Sequence, residues 1–146
     1  MKKIFVSICL VLLLGSLTGC KDKNISNDTI TISQYKGLEV EADENDDDFK
    51  EQVLEALLDN CEIKEFPQEE LKERIEQLTI DYGYVAYYKN ITAEELILEK
   101  TGLSVEELAK KELTKEYALA LIAETEGMDK DATEEEIFNF LIENLK

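Results

Sequence analysis

The chain has 146 residues, enough for one domain with tails, and 34 Asp and Glu against 16 Lys and Arg give it a formal net charge of −18. A surface this acidic repels phosphate backbones, which excludes nucleic acid as a partner. The absence of His removes the commonest general base and the commonest metal ligand.

Residues 1–19 read as an address. Lys2 and Lys3 precede an apolar run over residues 4–14 and then small residues, the order of a secretory signal peptide. The run falls short of the about 20 residues that a membrane-spanning helix needs. Leu17-Thr18-Gly19-Cys20 resembles the bacterial lipobox, and the resemblance implies cleavage after Gly19 and lipid (diacylglyceryl, palmitate-like chains) on Cys20. More than one acyl chain on Cys20 holds a mature chain stably, here at the extracytoplasmic face of the cell membrane. Cys9 leaves with the signal and Cys20 carries lipid, so Cys61 has no partner for an intrachain disulfide. Cys61 reads as a small buried hydrophobe.

Residues 20–48 read as a lipid-anchored tether followed by an acidic linker. Residues 21–29 are polar and without period. Ile30 and Ile32, then Leu38 and Val40, alternate as in a short strand with a turn at Lys36-Gly37, and no partner strand is evident. Over residues 41–48, Asp43, Asn45 and Asp47 alternate like calcium ligands. Asp48 and Leu54, however, stand where an EF-hand loop needs Gly and Glu. The run reads as a solvated linker, and no metal is expected.

From Phe49 onward the period is helical, and residues 49–146 are expected to form an all-α domain of about five helices. Phe49, Val53, Leu57, Leu58 and Cys61 make one apolar face. Pro67 suits a first helical turn, with Gln68, Glu69 and Glu70 beside the positive end of the helix dipole. Leu71, Ile75, Leu78 and Tyr82 continue the stripe. Gly83 is expected to interrupt or bend that helix, and Tyr84, Tyr87 and Tyr88 crowd beyond it. Capping boxes pair Thr92 with Glu95, Ser104 with Glu107 and Thr133 with Glu136, so three more helices start there. Gly127 is a terminator for the second of these. Near its end Ala118, Leu119 and Ile122 add a second apolar side. The last helix offers Ile137, Phe138, Phe140, Leu141, Ile142 and Leu145, more apolar surface than one neighbour covers.

The stretches "KEFPQEELKERIEQLTIDYGY", "TAEELILEKTGLSVEELAKKELTKEYALALIAETEGM" and "ATEEEIF" together resemble the C-terminal peptide-binding domain of trigger factor. They resemble more closely the trigger-factor-related lipoproteins of low-GC Gram-positive bacteria. The family pattern falls on Pro67, Gly83, Ala109, Ala118, Ile122, Ala123, Glu126 and Gly127. This resemblance implies a helical, chaperone-like module that binds unfolded or newly exported polypeptides, with a full-length relative as a candidate partner. In such lipoproteins the strand-like segment leads into a peptidyl-prolyl isomerase domain. Here only residues 41–48 separate Val40 from Phe49, too few for that domain, so no isomerase activity is expected. No catalytic constellation and no cofactor motif occur, so the protein is not expected to be an enzyme.

The function expected is therefore a membrane-anchored chaperone-like lipoprotein. The alternative is a surface scaffold that recognises one specific partner protein. The candidate client-binding residues are Leu78, Tyr82, Tyr84, Tyr87 and Tyr88, with Ile122 and Phe140 completing an opposite wall. Tyr suits the role because its ring is apolar and its tip polar, so it sits half-exposed and still grips an apolar segment.

Overall fold

The computed structural model describes residues 24–146, so the signal segment and Cys20 lie outside the described residues. Two short strands open the fold, β1 (Ile25–Ser26) and β2 (Ile30–Ile32), followed by α1 (Phe49–Leu58) and a third strand, β3 (Cys61–Ile63). Four helices complete it: α2 (Gln68–Lys89), α3 (Ala93–Thr101), α4 (Val105–Thr125) and α5 (Glu134–Glu143). The described chain is mostly helical, but it is not all-α. A small antiparallel sheet in the order β1-β2-β3 accompanies the five helices.

The strand-like segment thus finds two partners. Ile32 pairs with Ile25 on one side and with Cys61 on the other, while Ile30 faces Ile63. Asn27 builds the tight turn between β1 and β2, its side-chain oxygen accepting from the amides of Thr29 and Ile30 at 2.9 Å. β1, with two residues, is too short to show a period in sequence, and Cys61 of β3 reads there as an extension of the apolar face of α1, which ends at Leu58. The stretch expected to be tether and linker is accordingly divided: Ile30, Ile32, Tyr35 and Leu38 are buried in the core, while Asn24, Ser26, Asn27, Asp28 and the acidic stretch before α1 are largely exposed.

The helix ends follow from local chemistry. Thr92, Ser104 and Thr133 each accept from the third residue of the following helix, and Glu95, Glu107 and Glu136 reach back to the cap amides. Past α4, Gly127 adopts φ 67°, and the amides of Gly127 and Met128 donate to the carbonyls of Glu124 and Ala123. This is a Schellman closure, which needs a residue tolerant of the left-handed region. Asn90 closes α2 in the same way at φ 56°, with Ile91 donating to Ala86. Gly83 does not break α2, contrary to the sequence expectation. A mid-helix Gly costs about 1 kcal/mol, and burial of Leu71 and Leu78 before it and Ala86 after it holds the helix through.

Apolar burial divides between two clusters. The first, here called the body, gathers the sheet, α1, the loop with Tyr35 and Leu38, the C-terminal half of α4 and α5. The second, the arm, packs Leu71 and Leu78 of α2 and Ile97 of α3 against Leu108, Ala109 and Leu113 of α4. Helix α4 runs through both, and Tyr117 packs against each cluster. Ion pairs from Arg74 to Glu112 at 3.0 Å and Glu116 at 2.7 Å lock α2 onto α4.

Candidate functional site

The largest exposed apolar side chains of the described residues lie on the arm. Ile80 (68% exposed), Tyr84 (70%), Tyr87 (77%) and Tyr88 (67%) project from α2, joined by Val85 and, on α3, Leu98. Ile80, Tyr84, Tyr87 and Tyr88 stand at i, i+4, i+7 and i+8, so one helical face carries them all. That face points away from the arm's own core, which takes Leu71 and Leu78 from the opposite side.

The rings organise one another. Tyr84 and Tyr88 meet edge to face with centroids 5.1 Å apart, and Tyr87 meets Tyr88 likewise at 5.7 Å. The Tyr84 and Tyr88 hydroxyls share a hydrogen bond of 3.2 Å. That bond, with a smaller contribution from burial, raises the Tyr88 pKa above the ordinary phenol value. The result is a partly ordered apolar surface whose polar tips remain in water. Lys89 bonds Glu99 at 3.1 Å and ties this end of α2 to α3.

The seven residues singled out in the sequence do not come together. Tyr84, Tyr87 and Tyr88 share the outward face. Leu78 is 5% exposed and belongs to the arm core. Tyr82 is half-buried, its ring under the Lys100 ammonium at 6.0 Å. Ile122 is wholly buried in the body, and Phe140 packs on the same cluster beneath the Lys36 ammonium at 5.2 Å. No opposite wall is built from Ile122 and Phe140, because the sheet, α1 and α5 consume the second apolar side of α4.

Sequence reasoning missed Ile80, Val85 and Leu98. Ile80 carries a signal in hindsight, since it precedes Tyr84 by one helical turn and falls off the Leu71-Ile75-Leu78 stripe.

No set of three or more His, Cys, Asp or Glu is placed to hold a metal ion among the described residues. The Cys61 thiol donates to the Leu57 carbonyl at 3.3 Å, and burial pushes its pKa up to about 11, the opposite of what a nucleophile needs. No helix of the described residues is long and apolar enough to cross a membrane. Comparison with protein-family models, curated proteins and solved structures found no match for this chain.

Proposed function

We propose that the chain is a lipoprotein anchored through Cys20 at the extracytoplasmic face of the membrane. Its arm acts as a chaperone-like module, akin to the peptide-binding domain of trigger factor, that holds unfolded or newly exported polypeptides. The observation that carries this reading is the exposed face of Ile80, Tyr84, Tyr87 and Tyr88. A surface that leaves several large apolar side chains together in water presents them to a partner. Paired tyrosines give adaptable contact, with apolar area from the rings and hydrogen bonds from the tips. The reading involves binding and no catalysis, so proline isomerisation is expected to run at the uncatalysed rate.

The test is the double variant Tyr84→Ser plus Tyr88→Ser in the lipid-free mature chain. Both side chains are mostly exposed, so helical content and melting should change little. Suppression of aggregation of several unrelated unfolded proteins should fall sharply. A double variant that still protects those clients as well as the parent defeats the reading. Protection of one protein alone turns it into recognition of a specific partner.

A further inference from the structure

We infer that the molecule stands on the membrane by the end of the body around Ser33, Gln34, Asp59 and Asn60, and that the tyrosine face is held off the bilayer at the opposite end of α4. The inference rests on acylation of Cys20, as in the function proposed above. Its first element is a short leash. Cys20 and Ile25 are separated by so few residues that even a fully extended chain reaches only about 17 Å. The residues expected to form a long tether are instead strand and core, and they add no reach.

The second element is where the leash joins. Ile25 pairs with Ile32, so the chain enters at the Ser33 end of β2, where Ser33 donates to the Asn60 carbonyl at 2.9 Å. The next residues, Tyr35 and Lys36, clasp Glu126 at the C-terminal cap of α4, at 2.5 and 2.8 Å. The end of α4 is therefore pinned beside the entry point. Its start lies about 32 Å away, the rise of its length. Tyr82, two residues before Tyr84, sits beside Lys100 just ahead of that start. The strut thus has the leash at one end and the tyrosines at the other.

The third element is charge. An acidic protein is repelled by an anionic leaflet. At the entry end two carboxylates are matched, Glu39 by Lys146 at 2.5 Å and Glu126 by Lys36. Asp59 adds another, and Glu124, Asp129 and Asp131 flank Glu126 with Lys130 among them, whereas Ser33, Gln34, Asn60 and Asn144 are neutral. Lys21 and Lys23 in the leash add positive charge next to the anchor. Around the tyrosines stand Asp81, Glu94 and Glu95, with Glu99 matched by Lys89 and Lys100 over the Tyr82 ring. Both ends carry carboxylates, and the charge that favours the entry end is that of Lys21 and Lys23 beside the anchor.

The experiment places a fluorophore on the acylated full mature chain, at Asp59→Cys in one sample and Tyr87→Cys in another, with Glu39→Cys as a second probe of the entry end. Cys61 stays protonated and leaves the introduced thiol to react. Vesicles of phosphatidylcholine and phosphatidylglycerol carry a headgroup quencher. The entry-end probes should lose most of their emission and the Tyr87→Cys probe little. A Gly/Ser insert between Lys23 and Asn24 should restore emission at Asp59→Cys. Quenching at Tyr87→Cys equal to that at the entry end, or no effect of the insert, overturns this placement and leaves the anchor intact. A membrane-extracted chain whose Cys20 bears no lipid by mass spectrometry overturns the anchor and the placement together.

Discussion

The body and the arm treat apolar surface in opposite ways. In the body, Ile30, Ile32, Val53, Leu57, Ile122 and Leu141 are all fully buried, contributed by segments far apart in the chain. The arm is built from consecutive helices over a smaller core of Leu71, Leu78, Ile97, Leu108, Ala109 and Leu113. It leaves Ile80, Tyr84, Tyr87 and Tyr88 in water. One region spends its hydrophobic residues on its own stability and the other keeps some for contact. Because α4 is continuous through both, a stable body holds the first half of α4 in place for α2 and α3 to dock.

The largest effect expected to test this contrast is in the body. Ile122→Ala should lower unfolding stability by about 2–5 kcal/mol, the range for deleting a large buried aliphatic side chain, read by urea denaturation. A loss as small as that expected for an exposed arm residue, within about 0.5 kcal/mol, would erase the distinction.

Next in size is the arm's own closure. The Thr92 side chain accepts from the Glu95 amide at 3.1 Å, and Glu95 accepts from the Thr92 amide at 2.8 Å. Thr92→Ala should cost about 1 kcal/mol. Native-state hydrogen exchange should show faster opening in α3 and the end of α2 with body amides unchanged. Equal acceleration in both regions would mean that arm and body open as one unit.

Smaller again is an acid effect confined to the body. Hydrogen bonds from Lys36 and then Tyr35 hold the Glu126 carboxyl below the usual carboxylate range. Its folded pKa is thus lower than its unfolded one, so the link stabilises fully above about pH 5 and fades as pH falls through the carboxylate range. Glu126→Gln should flatten part of the acid limb of the stability profile while leaving the Thr92 capping response as it was. An unchanged acid limb would show that the clasp adds nothing to the body.

Local rules made the helical part legible. The capping boxes at Thr92, Ser104 and Thr133, the stop at Gly127 and the buried stripe of Leu71 and Leu78 all depend on residues within a turn or two of each other. Even the tyrosine face was half visible, since Tyr84 and Tyr88 are neighbours on any helix. Pairing of β2 with β1 and β3 was not legible, because β1 has only two residues, Cys61 reads as part of the apolar face of α1, and it meets Ile32 only across α1 and the loop before it. Ile122 and Phe140 failed as site residues for a related reason. An apolar face announces that something will cover it, and only the packed chain decides whether that cover is a client or the protein's own sheet and last helix. Sequence determined where α3, α4 and α5 begin and where α4 ends, through contacts one turn apart. Tertiary structure alone decided which apolar residues vanish into the body and which stay on the arm, because that choice is made between segments distant in the chain.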